Sequence, residues 1–119
     1  MAGPEATWHE FLEQGRFMLQ RSRATGRHVF YPRIAEPGTG AEDLEWVEAS
    51  GNGVVHAVTV VRKKDPVDSY NVVLVDLAEG PRLMSRVDGI DSDAVHIGMG
   101  VEARIVQEEA GPTLVFVPA

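Results

Sequence analysis

Two apolar runs, Val72 to Leu77 and Leu83 to Val87, stand on either side of Glu79-Gly80-Pro81-Arg82. Short runs rich in Val and Leu are buried-strand signals, and a Gly-Pro step between two such runs is a turn signal. The stretch predicts a β-hairpin at the middle of a small barrel. Little else in the chain is so restrictive, and the other segments are placed around it.

Upstream, Val54-Val-His-Ala-Val-Thr-Val-Val61 is long and β-branched, as a central strand requires. Downstream, Val101, Ala103 and Ile105 alternate with Glu102 and Arg104, and Glu109-Ala-Gly-Pro112 turns the chain into Thr113–Val117. Between them, Gly89–His96 reads as a loop in which Ser92 or Asp93 caps one helical turn. Five main strands with a helical turn between the third and fourth fit a Greek-key OB barrel. A split sandwich satisfies the same pattern. Gly53, Gly80, Gly98 and Gly100 fall where a small coiled barrel needs bends without a Cβ.

The part before this barrel is less regular. Trp8, Phe11, Leu12 and Gly15 recur at helical spacing and predict a helix over 5–20. Thr7 is its expected N-cap, with Glu10 as the capping-box partner. Gly15 ends or kinks it, and Phe17-Met18-Leu19 starts a second turn. This helix either packs on its own domain or serves as a docking arm anchored by Trp8 and Phe11. Val29–Ile34 is strand-like, confined to an edge by Pro32. Leu44–Glu48 is a short strand. The expected fold class is α+β, mainly β, divided into an N-terminal segment at 1–43 and a five-stranded OB barrel at 44–119.

With no cysteine, the chain has no disulfide, iron–sulfur cluster, thiol nucleophile or thiolate-bound zinc. His9, His28, His56 and His96 are scattered without ligand spacing. His56 sits between valines as a strand histidine, His96 follows a loop without an acid–base partner, and Asp76 and Glu79 read as a solvated strand end. No catalytic constellation emerges, and the chain is expected not to be an enzyme. The net charge of −7 is uneven: residues 16–33 hold five arginines and no acid, whereas residues 34–119 hold 15 acids against six bases. An acidic barrel with only Tyr70 and Phe116 as aromatics beyond Trp46 is a poor single-strand nucleic-acid binder. No apolar run reaches the ~18 residues of a membrane span. Met1-Ala-Gly-Pro-Glu5 lacks the regions of a signal peptide, so a cytoplasmic location is expected.

The order of segments is nevertheless distinctive. Trp8-His-Glu-Phe-Leu-Glu-Gln-Gly15 is followed by Leu19-Gln-Arg21, Tyr31-Pro-Arg33 and Asp43-Leu-Glu-Trp-Val-Glu-Ala-Ser-Gly-Asn-Gly53. Val75-Asp-Leu-Ala-Glu-Gly-Pro-Arg-Leu83, Ile97-Gly-Met-Gly-Val-Glu102 and Phe116-Val-Pro-Ala119 complete the set. From Trp8 to Ala119 the chain resembles the acyl-CoA-associated OB-fold proteins with an N-terminal rubredoxin-like zinc ribbon. The resemblance implies a non-catalytic accessory subunit of a thiolase-type, lipid-transfer-aldolase or other acyl-CoA-transforming enzyme, assisting acyl-CoA binding. It implies hetero-oligomeric assembly with that enzyme. The alternatives are an OB module for single-stranded nucleic acid and an orphan assembly protein without a ligand.

The resemblance also marks a departure. Where the family carries two Cys-x-x-Cys pairs, this chain has Ser22 and Thr25, then Glu36 and Thr39. Hydroxyls bind Zn²⁺ poorly, so the segment is expected to be ribbon-like, metal-free and without a cofactor. Lost metal must be offset by packing, for which Phe30, Tyr31, Ile34 and Trp46 are the expected core, unless a partner orders residues 20–43. For CoA phosphates the candidates are Arg21, Arg23, Arg27 and Arg33 on the ribbon-like segment, and Arg62, Lys63 and Lys64 on the loop after the long strand. An apolar groove for the pantetheine arm is expected near Tyr31 and Trp46.

Overall fold

The computed structural model describes residues 3–35, 38, 40 and 42–119. Helix α1 (Pro4–Glu13) is shorter than its periodicity predicts. Gly3 is its N-cap and Pro4 supplies the pre-set φ of a first helical residue. Thr7 therefore lies inside the helix rather than at its cap, its N–H and hydroxyl both donating to the Gly3 carbonyl (3.0 and 3.2 Å). Gly15, at φ +74°, ends the helix in the left-handed conformation that a Cβ disfavours.

Phe17-Met18-Leu19 does not resume a helix. It leads into strand β1 (Met18–Ser22), which pairs antiparallel with β2 (His28–Val29) on one side and β3 (Leu44–Glu48) on the other. Phe17 and Leu19 thereby enter the barrel core. Of the predicted edge strand over Val29–Ile34 only Val29 is paired, in the two-residue β2, and Pro32 has no N–H to extend the ladder. Leu44–Glu48 hydrogen-bonds to β1 along its whole length, in the register Met18↔Glu48 to Ser22↔Leu44.

The second sheet holds β4 (Asn52–Val61), β5 (Tyr70–Leu77), β6 (Arg82–Ser85), β7 (Gly100–Glu108) and β8 (Gly111–Pro118), in the order β6-β5-β4-β7-β8. These are the five strands legible in the sequence. A 3-10 turn, Ser92–Ala94, lies between the third and fourth of them. The sheet curls rather than splitting into a sandwich. Phe116 N–H donates to the Arg86 carbonyl (3.0 Å) and Asp88 N–H to the Phe116 carbonyl (2.8 Å), so the chain after β6 runs parallel beside β8. The Ser85 hydroxyl adds a bond to the Leu114 carbonyl at 2.9 Å.

Two features of β4 permit the tight curl. The β4–β5 register slips between Val55 and Ala57, leaving His56 as the bulged residue. At Gly53 a Cβ would lie 2.5 Å from Val75 Cγ1, an approach open only to glycine. The core inside the curl is built from Val55, Val73, Val75, Leu83, Val101 and Phe116, each at most 2% exposed.

The expected substitute core of the N-terminal segment forms only in part. Phe30 packs against the main core and Trp46 against the Phe11 ring (5.4 Å between centroids). Tyr31 and Ile34 instead face solvent, 57% and 72% exposed.

Candidate ligand-binding face

Along β5 the side chains alternate strictly, so Tyr70, Val72, Leu74 and Asp76 point away from the core. Leu74 lies between Ala57 of β4 and Met84 of β6, and Asp76 between Val54 and Arg82. The result is an outer face of β4, β5 and β6 about 20 Å long from Tyr70 to Asp76, with an apolar strip in its middle at Val72, Leu74, Ala57 and Met84. Met84 is 62% exposed on it.

At the Tyr70 end sits the loop between β4 and β5. Asp65 orders it, accepting Val67 N–H at its carboxylate (3.1 Å) and Asp68 N–H at its carbonyl (2.9 Å). Lys63 N–H is held by the Ser69 hydroxyl (3.0 Å), which sets the lysine Nζ 5.8 Å from the Tyr70 ring centroid. Lys63, Lys64, Asp65 and Asp68 line an open hollow of about 730 Å³. Beside it, a cleft of about 550 Å³ runs between Val60, Arg62, Val67 and the turn at Ile90 to Asp93. Arg62 spans the two loops through a 2.7 Å ion pair with Asp93. The bond holds the Asp93 carboxyl below the usual carboxylate range and raises the guanidinium pKa.

At the opposite end is a cluster that the sequence conceals. Arg82 Nε donates to Asp76 Oδ1 at 2.6 Å. His56 Nδ1 lies 3.2 Å from Arg82 Nη2 and 3.4 Å from Asp76 Oδ2. The Arg82 hydrogen bond is the main cause of the lowered Asp76 pKa, with His56 adding to it. Asp76 is thus ion-paired rather than merely solvated at a strand end. Only the bulge turns His56 toward residues 20 and more positions away, which no local spacing announces. Glu79 is separate: it accepts Ser50 N–H at 2.6 Å and stabilises the turn before β4. His96 Nδ1 meets the Ala94 carbonyl at 3.2 Å.

The arginines of the N-terminal segment are differently placed. Arg21 and Arg23 share Glu45, each at 3.3 Å. Arg27 accepts Ser22 N–H at its carbonyl (2.9 Å) and donates its N–H to the Thr25 hydroxyl (3.2 Å). Arg33 is exposed, its backbone held by Gln20 through two 2.6 Å bonds. Ser22 is fully buried, donates to the Asp43 carboxylate at 3.1 Å and accepts Thr25 N–H at 3.3 Å. Asp43 also accepts Ala24 N–H at 2.7 Å. Glu36 and Thr39 lie outside the described residues. Among the described residues no three His, Asp or Glu side chains gather as a metal site.

Tyr31 stacks on Phe30 (4.6 Å), whereas Trp46 packs on Phe11, so the two rings placed at one groove have separate neighbours. Trp8 and Phe11 are engaged within the chain, Trp8 against Phe30 (5.6 Å), and α1 packs on its own domain rather than projecting as an arm. Trp8, Leu12, Leu83, Met84 and Leu114 border a small cleft of about 230 Å³. No helix among the described residues is long and apolar enough to cross a membrane.

A curled five-stranded sheet with a helix and a small antiparallel sheet before it defines an OB-fold protein carrying an N-terminal extension. The family model described as the C-terminal OB-fold domain of ChsH2 matches residues 46–106. A DUF35 domain-containing scaffold protein of Methanothermobacter thermautotrophicus is 34% identical over 116 residues, covering 84% of this chain and 86% of that one. The chain belongs to this ChsH2/DUF35 OB-fold family. A probable enoyl-CoA hydratase alpha subunit of Thermomonospora curvata is 37% identical over 121 residues, but the match spans only 37% of that protein's length. Among solved structures, the chain resembles one described as an Ltp2-ChsH2(DUF35) aldolase, with TM-score 0.84 and 32% identity over 99% of this chain and 96% of that one. A DUF35 protein from Sulfolobus solfataricus shares the fold at TM-score 0.71 and 16% identity.

Proposed function

We propose that the chain is a non-catalytic accessory subunit of an acyl-CoA-transforming enzyme of the aldolase or thiolase type, and that its barrel helps to hold the acyl-CoA. The observation that carries this reading is the near-complete match to the DUF35 chain of an aldolase assembly. The names of the relatives also share a chemical thread. Hydration of an enoyl-CoA yields a β-hydroxyacyl thioester, and a β-hydroxy carbonyl compound is what an aldolase cleaves. An accessory domain serving both would have the CoA thioester as its common ligand.

The outer face of β5 and β6 suits such a ligand better than the arginines of the N-terminal segment. OB folds commonly bind on the face of their second and third strands and at the first interstrand loop. Here these are β5, β6 and the Arg62–Ser69 loop. Lys63 and Lys64 border an open hollow where a diphosphate has room, and Tyr70 offers a ring face to an adenine. The apolar strip beyond takes the arm. Arg21 and Arg23 are already committed to Glu45. Support for the nucleic-acid alternative is thin, since of the barrel aromatics beyond Trp46, Phe116 is fully buried and only Tyr70 remains for stacking.

Isothermal titration of the purified chain with CoA and acetyl-CoA tests the placement. Lys63→Glu/Lys64→Glu is expected to weaken binding about tenfold or more, and Arg21→Glu/Arg23→Glu to leave it unchanged. The reverse pattern would move the ligand to the N-terminal segment. No binding by the wild-type chain would remove ligand-holding and leave an assembly role alone.

A further inference from the structure

Two of the four residues expected to fill the core of the N-terminal segment, Tyr31 and Ile34, are solvent-facing, and Arg33 lies between them. A loop of this kind is ordinarily loose. This one is fastened to β1 at its centre: the buried Gln20 amide donates to the Arg33 carbonyl and accepts the Arg33 N–H, both at 2.6 Å. A carboxamide bonded to both main-chain groups of one residue substitutes for a rung of a β-ladder. The main chain is therefore fixed while three large side chains are presented outward. Fixing a loop in advance lowers the ordering cost of association, and Tyr and Arg are among the residues that anchor interfaces most strongly.

The charge arrangement indicates what fits there. Arg21 and Arg23 share the one carboxylate of Glu45, whereas Arg33 has no ion pair among the described residues. It lies in a segment of residues 16–33 with five arginines and no acid, on a chain whose remaining part is strongly acidic. We infer that Tyr31, Arg33 and Ile34 form a docking surface for the partner enzyme, whose complementary surface is an apolar depression rimmed by carboxylates. This inference rests on the accessory-subunit reading.

The test begins with the tagged full chain, used to capture its partner from extract of the cells that make it. Mass spectrometry identifies the co-eluting chain, and the purified enzyme is then titrated by biolayer interferometry with wild type, Arg33→Glu, Ile34→Asp and the control Ile97→Asp, at an exposed apolar residue outside both the docking surface and the ligand face. Circular dichroism checks that each variant is folded, and the milder pair Tyr31→Ala and Ile34→Ala serves if a charged variant is not. The surface predicts at least a tenfold loss of affinity for Arg33→Glu and Ile34→Asp, and no more than a twofold change for Ile97→Asp. Equal binding by all folded variants overturns the docking surface and leaves the accessory role standing. Recovery of no acyl-CoA enzyme by the wild-type chain overturns the accessory role, and the docking surface with it.

Discussion

The side-chain amide of Asn71 is bonded to the backbone of Val87 on both sides, donating from Nδ2 to the carbonyl at 2.9 Å and accepting the N–H at Oδ1 at 2.8 Å. Both groups are buried, and the amide also donates to the Ser92 hydroxyl at 3.1 Å. Where β6 leaves its ladder to run beside β8, Asn71 supplies the missing rung. It also ties the 3-10 turn to the barrel wall. Asn71→Ala leaves a buried donor and acceptor without partners, at a cost of about 2–3 kcal/mol. Urea unfolding should show a lowered midpoint at unchanged slope; an unchanged midpoint would mean that the bracket contributes nothing.

Gly53 is set by space rather than by φ. A methyl there meets Val75 Cγ1 at 2.5 Å and the Asp76 carbonyl at 3.1 Å, at the Gly53–Leu77 end of the β4–β5 ladder. Gly53→Ala is expected to destabilise the protein by about 1–3 kcal/mol through overpacking. Thermal unfolding checks this, with Gly100→Ala, where a Cβ meets only Ala119 Cβ at an ordinary 3.7 Å, as the reference.

Acid weakens the fold in a defined window. Hydrogen bonds from Arg82, Arg62 and Arg86 hold Asp76, Asp93 and Glu108 below their ordinary carboxylate values. A carboxyl group whose folded-state pKa is depressed binds its proton more readily in the unfolded chain. The stabilisation is complete above the unfolded values, at about pH 5, and is lost as pH falls through about 4 and below. Melting temperatures should be level from pH 7 to 5 and fall below 4. Added salt should reduce the fall, because these pairs are exposed. A melting temperature that rose on acidification would contradict the assignment.

Ser22 and Asp43 hold together the turn where related chains are expected to bind zinc. The hydroxyl of the buried Ser22 donates to Asp43, whose carboxylate also takes the Ala24 N–H. Elemental analysis should find no stoichiometric zinc, and EDTA should leave the melting temperature unchanged. Asp43→Ala should cost about 1–3 kcal/mol, since it strands two donors. A fall in stability with EDTA would show that a metal contributes.

The barrel was legible because each of its five strands is a Val-rich or alternating run closed by Gly, Pro or Asp, so local pattern and tertiary burial agree. Phe17-Met18-Leu19 misled because a short apolar run satisfies a helix and a buried strand alike, and only pairing with Leu44–Glu48 decides between them. Hydrophobicity places Tyr31 and Ile34 in a core, but it does not say which way a side chain points once Gln20 has fixed the backbone beside it. The basic residues of the β4–β5 loop could be named from the sequence. The His56–Asp76–Arg82 cluster could not, because a bulge and two antiparallel registers bring those residues together.

The accessory role is tested most directly by assaying the acyl-CoA enzyme that co-purifies with this chain, first alone and then with the chain restored at one copy per enzyme subunit. The account predicts that kcat/KM for the acyl-CoA substrate rises about tenfold or more on reconstitution, and that the chain alone turns over none. An enzyme equally active with and without the chain would contradict it.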